Sequence, residues 1–242
     1  MNFKLNISYD GTKFSGWQIQ PKVRTIQKEL QDSIQSIFND KSIILYGSGR
    51  TDAGVHANGQ VANFAIDTKM STLQIKNAIN SNISKDIYIN QCTIVKENFN
   101  ARFSALERKY IYQICLKYNP INRKYFWYIN YEIDKNRLDK CAEIILGEHD
   151  FSFFCKKTSK KGNNICIIKK SKWIFEEDFI YYEIVANRFL HHMVRMLIGT
   201  MIEVSKNSIS IDMFKKMIGC KEINSRVVTC PAHGLYLTKI NY

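Results

Sequence analysis

No stretch of this 242-residue sequence stays apolar for the roughly 18 residues that a membrane-crossing helix needs. The opening residues, Met1-Asn2-Phe3-Lys4-Leu5-Asn6-Ile7, alternate like a strand and lack the apolar core of a secretory signal. The seven cysteines (92, 115, 141, 155, 166, 220 and 230) include no Cys-x-x-Cys and keep no regular spacing. Such an odd, scattered set excludes a disulfide frame or zinc site and reads as reduced thiols in a cytoplasmic protein. No Gly-Lys-Ser/Thr phosphate loop, no supported Ser/His/Asp or Cys/His pairing and no internal repeat is present. Acids are scarce as well: 22 Asp and Glu against 35 Lys and Arg leave a net charge of +13. That balance favours a polyanionic partner, nucleic acid or an anionic membrane surface. Abundant lysine, asparagine and isoleucine account for part of it as compositional drift, which the nine arginines resist better.

What is present is a globular composition, 45% apolar and 12% aromatic, in a chain long enough for one large domain or two modest ones. Phe3, Leu5, Ile7 and Tyr9 mark a half-buried strand ended by the turn Asp10-Gly11-Thr12. Thr25 is placed to cap a helix burying Ile26, Leu30, Ile34, Ile37 and Phe38. Ile43-Ile44-Leu45-Tyr46 and residues 61–66 read as strands, and Ser71 with Gln74 as the capping box of a shorter helix. Ile87-Tyr88-Ile89, Thr93-Ile94-Val95 and residues 110–116 read as further strands. Leu138, Cys141, Ala142, Ile145 and Leu146 form a helical stripe closed by Gly147. Two long strands, 165–175 and 179–186, make a hairpin about Glu176-Glu177-Asp178. A helix from about 188 to 203 and a shorter one capped by Asp212 precede a closing strand with Leu235 and Leu237. The class is α+β with much antiparallel sheet.

Three places carry chemistry. In Gly47-Ser48-Gly49-Arg50-Thr51-Asp52-Ala53-Gly54-Val55-His56-Ala57, three glycines surround one acid and one base. A phosphate cradle would need glycine where Asp52 stands, and a carboxylate repels phosphate. On spacing alone a structural hairpin loop outranks a catalytic one, and His56 reads as structural. On the 188–203 helix, His191 and His192 stand four and three residues before Arg195, so Arg195 shares a face with either. A solvated polar face explains that spacing equally well, and His-His-x-x-Arg is no metal signature. Tyr110 is a core aromatic on pattern alone, although it could stack on a base and move a proton.

The order of five stretches resolves these alternatives. They are Tyr9-Asp10-Gly11-Thr12-x-Phe14-x-Gly16-Trp17-Gln18; Gly49 to Ala57 with Gly59-Gln60-Val61; Ala101-Arg102-Phe103-Ser104-Ala105 with Arg108-x-Tyr110-x-Tyr112; Asn187-x-Phe189-Leu190-His191-His192-Met193-Val194-Arg195; and Pro231-Ala232-x-Gly234-Leu235-Tyr236-Leu237. Through them the chain resembles the tRNA pseudouridine synthase A family from end to end. It departs from it at Cys230, where alanine is usual, and in the lysine- and asparagine-rich stretch 156–164. The resemblance implies two α+β halves, 1–105 with the catalytic Asp loop and 106–242 completing a central cleft. The halves share a mixed, mainly antiparallel sheet.

It also implies isomerisation of uridine to pseudouridine at positions 38–40 of the tRNA anticodon arm, by a homodimer needing no cofactor and no metal. Asp52 would be the nucleophilic carboxylate, attacking sugar or base. Arg195 would pair with it and hold it ionised. Tyr110 would pack on the base and take a proton, while Arg50, His191, His192 and Leu235 would contact the RNA. Lysines 156, 157, 160 and 161 are expected to touch RNA outside the motifs. A glycosidase would need a second acid beside Asp52, and a mere RNA-binding module would not need Asp52.

Overall fold

The computed structural model describes residues 1–156, 163–219 and 226–242. They form two compact units, Met1–Leu106 with Tyr236–Tyr242, and Glu107–Leu235. Lys157, Lys160 and Lys161 of the expected basic loop, and Cys220, lie outside the described residues.

The first unit runs β1 (Asn2–Tyr9), α1 (Ile26–Phe38), β2 (Tyr46–Gly47), β3 (His56–Ala65), α2 (Thr72–Asn82) and β4 (Ile87–Val95). β1 lies between β3 and β4, antiparallel to both, and β2 pairs with β3. Alternation along β1 buries Phe3, Leu5, Ile7 and Tyr9 on one face. Ile26, Leu30 and Ile34 of α1 and Ile75 and Ile79 of α2 are buried too, each such side chain contributing ~1.5–3 kcal/mol. Ser71 and Gln74 form the expected capping box. Thr25 holds the cap position of α1 but makes no side-chain cap bond.

The 43–46 run departs from expectation, because only Tyr46 joins a strand. Its backbone is bonded by glutamines of α1 instead. Gln27 donates to Leu45 O (2.9 Å), Gln31 accepts from Leu45 N (3.0 Å) and Gln35 donates to Ile43 O (2.9 Å). The two short strands expected at 87–95 are one, β4.

The second unit runs β5 (Glu107–Cys115), β6 (Trp127–Tyr128), α3 (Lys135–Ile144), β7 (Gly147–Asp150), β8 (Ile165–Phe175), β9 (Phe179–Ala186), α4 (Met193–Ser205) and α5 (Ile211–Met217). β5, β9, β8 and β7 pair antiparallel in that order, and β6 runs parallel to β5. Tyr112, Tyr182, Phe151, Phe154 and Phe214 are fully buried. Tyr182 meets Trp173 at 4.5 Å and shares a 2.7 Å hydrogen bond with Ser171, so its hydroxyl is not left dry. Asp134 caps α3, and Ser210, two residues before the expected Asp212, caps α5.

The last strand, β10 (Leu235–Asn241), runs parallel to β3, with Tyr236 opposite His56 and Leu237 opposite Ala57. Mixed, mostly antiparallel strands with helices make the protein α+β, as the sequence implies.

Candidate active site

Asp52 lies in the loop from β2 to β3, and that loop is built to hold still. Ser48 N donates to Val61 O (2.8 Å), and its hydroxyl donates to the Gln60 amide oxygen (2.7 Å). The amide nitrogen of Gln60 then reaches Gly49 O (3.0 Å). The buried Thr51 hydroxyl shares a 2.7 Å bond with Tyr9, while Thr51 O accepts from Trp17 N (3.1 Å). Burial lifts the Tyr9 phenol well above its ordinary value, so it stays protonated. Val55 N donates to Asp52 O (3.2 Å), and Gly54 N to Phe14 O (3.3 Å). Segment 9–17 therefore clamps the backbone on both sides of Asp52.

The two glycines of that segment permit the clamp. A β-carbon on Gly11 would fall 2.0 Å from Val55 O. One on Gly16 would fall 2.6 Å from Thr51 O, and Gly16 has φ +89°. Within the clamp the Asp52 side chain is half-buried and Arg50 is exposed. His56 is buried and stacked on Tyr236 at 4.8 Å. Its Nδ1 accepts from Gly11 N at 3.1 Å, which requires that nitrogen to be unprotonated. Asp10 Oδ1 lies 3.2 Å from the same nitrogen. His56 is a post for the 9–17 segment, as its place in the sequence suggests.

In the second unit two distant motifs meet. Arg108 on β5 donates to Asn187 O (2.7 Å), and Tyr110, two residues on, meets the Phe189 ring edge-on at 5.2 Å. Asn187 closes the end of the β8–β9 hairpin: its side chain accepts from Ile167 N (2.9 Å) and its N–H donates to Ile167 O (3.2 Å). Tyr110 is buried on the inner face of β5.

The histidines do not stand where periodicity puts them. α4 starts at Met193, five residues later than expected, because His192 has φ 67° in the left-handed region and cannot continue a right-handed helix. His191 and His192 therefore precede the helix, their rings 4.3 Å apart, and share no helical face with Arg195. His191 O accepts from Lys156 N (3.2 Å), the one lysine of the basic stretch whose position is described.

Arg195 lies in the first turn of α4, where its charge adds to the positive end of the helix dipole. Its Nε donates to Cys230 O (3.0 Å), and its carbonyl accepts from Cys230 N (3.1 Å). This reciprocal pair pins the 226–230 segment to the helix. Burial, foremost, pushes the Cys230 thiol up to about 12, so it is an inert filler. Beyond it, Pro231 O accepts from the buried Tyr112 hydroxyl (2.9 Å), His233 Nε2 lies 3.1 Å from Phe126 O, and Leu235 is buried.

Asp52 and Arg50 thus share one loop of the first unit, and Tyr110, His191, His192, Arg195 and Leu235 belong to the second. The structural work of Gly11, Gly16, Gln60 and Asn187 is not written in local sequence pattern. The pair of glycines among Tyr9, Phe14 and Trp17 is its one visible sign, since glycine permits close backbone approach.

A family model described as tRNA pseudouridine synthase matches residues 6–104 and 141–242, spans that contain Asp52 and Arg195 and pass over Tyr110. The tRNA pseudouridine synthase A of Brachyspira hyodysenteriae is 37% identical over 242 residues, 98% of this chain and 97% of the relative. That of Thermosipho melanesiensis is 38% identical over 242 residues, 98% of each chain. The Azobacteroides pseudotrichonymphae protein of the same name is 38% identical over 236 residues, 98% of this chain and 94% of its own.

Proposed function

The chain belongs to the tRNA pseudouridine synthase family, and from that premise we propose that it converts uridine to pseudouridine at positions 38, 39 and 40 of the tRNA anticodon stem-loop. The N1–C1′ bond breaks, the base turns, C5 bonds to C1′, and the C5 proton is lost as N1 regains one. Atoms and electrons balance within the nucleotide, so the chemistry calls for no cofactor. The observation that carries this reading is the Asp52 loop, whose backbone is clamped on both sides while the carboxylate is only half-buried. A carboxylate held that way suits attack on a sugar or base brought to it.

Arg195, at the positive end of α4, is suited to pair with Asp52 through its planar guanidinium. Tyr110 packs on the target base and takes the C5 proton. Arg50, His191, His192 and Leu235 contact the RNA as the uridine leaves its stack, an extrusion costing a few kcal/mol. The enzyme works in the cytoplasm as a homodimer gripping one tRNA arm.

Asp52→Asn decides the central assignment, since asparagine nearly matches the size and leaves the bonds made by Ser48, Thr51 and Gln60 in place. The variant is expected to stay folded and bind tRNA like the parent, to release no tritium from 5-tritiated uridine tRNA, and to form no pseudouridine by nucleoside chromatography. Turnover near the parent's rate would remove Asp52 from the chemistry.

A further inference from the structure

Residues 108–131 contain five cations (Arg108, Lys109, Lys117, Arg123 and Lys124) and no acid. They lie within 105–140, between the two spans that the family model matches. From 117 to 128 the chain leaves β5, turns, and returns to pair beside it as β6. The inner side of this excursion is anchored. Phe126 packs on Phe179 at 5.1 Å, Trp127 meets Tyr112 edge-on at 6.1 Å, and Ile129 N bonds Cys115 O at 3.0 Å. The turn is tied by its own polar groups. Asn119 Oδ1 accepts from Ile121 N (2.8 Å), Asn119 O from Asn122 N (3.1 Å) and Asn122 O from Tyr125 N (2.8 Å).

The outer side is aromatic and basic. Tyr118 is 59% and Ile121 79% exposed, unusually open for large apolar groups on a fixed turn. The Tyr118 and Tyr128 rings meet edge-on at 5.4 Å, which steadies both while leaving Tyr118 open. Arg123 donates to Pro120 O (2.6 Å), fixing its guanidinium over the turn. Among the described residues, Lys117, Arg123 and Lys124 have no carboxylate within 4.0 Å, unlike Lys109, Lys169 and Lys170. The acidic hairpin turn nearby touches this segment through backbone, Leu116 N to Asp178 O, without pairing those cations. Unspent charge beside exposed rings fits a strand of nucleic acid better than a second copy of a protein with net charge +13.

We propose that residues 117–128 form a platform for the tRNA away from the reacting uridine. Lys117, Arg123 and Lys124 neutralise phosphates, and Tyr118, backed by Tyr128 and flanked by Ile121, packs against an unstacked base or ribose. The proposal rests on tRNA being the substrate. Two full-length variants test it, Lys117→Gln/Arg123→Gln/Lys124→Gln and Tyr118→Ala, all at exposed positions. Affinity for a tRNA transcript is measured between about 50 and 200 mM salt.

The triple variant should lower the log–log salt slope by about two to three, at about 0.7–0.9 per lost contact. Tyr118→Ala should weaken binding roughly tenfold with the slope kept. Both should raise KM and leave kcat at saturating tRNA unchanged. An unchanged slope overturns the platform, and parent-like affinity of Tyr118→Ala overturns the ring's part in it. Unchanged slopes together with a fall from dimer to monomer in sedimentation would assign the face to a copy–copy contact instead. The slopes are read from binding alone. A parent that makes no pseudouridine would therefore strike the proposed reaction and still leave the slopes to decide the platform.

Discussion

Gly16 and Gly49 look alike in the sequence, yet an alanine at each has opposite consequences. At Gly16 the new β-carbon would sit 2.6 Å from Thr51 O on a backbone with φ +89°. At Gly49 nothing lies within 4 Å. Gly16→Ala is therefore expected to cost about 1–3 kcal/mol. It should also slow turnover, because the strain falls on the residue next to Asp52. Gly49→Ala should be close to neutral in stability. Urea unfolding of both variants checks the first pair of outcomes, and tritium release checks the rate. Equal midpoints would mean that the 9–17 segment yields easily and is no clamp.

At the scale of elements, β9 carries a nearly buried Glu183 between two lysines of its neighbours. Lys109 Nζ on β5 lies 2.7 Å and Lys170 Nζ on β8 3.1 Å from its carboxylate. Burial alone would raise the Glu183 pKa, but the bonds from Lys109 and Lys170 outweigh it and hold the carboxyl below its ordinary range. A folded-state pKa below the unfolded value gives stability that is present above the unfolded pKa. It is lost as pH falls through the folded one. Glu183→Gln should cost about 1–3 kcal/mol at neutral pH. Its stability should also fall less than the parent's from about pH 6 to about pH 3. Parallel stability–pH curves for the two proteins would show that the three strands do not rely on this ion group.

For the whole molecule, the last seven residues matter more than their number suggests. Tyr236, Leu237 and Ile240 are buried with the first unit. Leu106 N bonds Asn241 O (2.9 Å), and the Tyr242 hydroxyl bonds Ala101 O (3.0 Å). Three buried side chains at ~1.5–3 kcal/mol each approach the total stability of ~5–15 kcal/mol typical of a folded protein. A chain ending at Leu235 should lose the cooperative urea transition of the first unit. Retention of that transition, followed by the fluorescence of Trp17, would show that β1, β3 and β4 stand without β10.

Short-range patterns were legible without the fold. Alternation placed β1, the acidic turn Glu176-Glu177-Asp178 between two strand-like runs placed the 165–186 hairpin, and the Ser71/Gln74 pair marked the start of α2. These signals depend on neighbours within a few residues, where periodicity and capping are written directly in side-chain type. The start of α4 was not legible, since the apolar stripe Leu190, Met193, Val194, Leu197 continues through a backbone that turns left-handed at His192. Nor were the meetings of Gly16 with Thr51, Arg108 with Asn187, and Tyr236 with His56. Each of these is a close approach of backbones or hydrogen-bonding groups far apart in the chain. Which groups pair across such distances is settled only when the packed core brings the segments together.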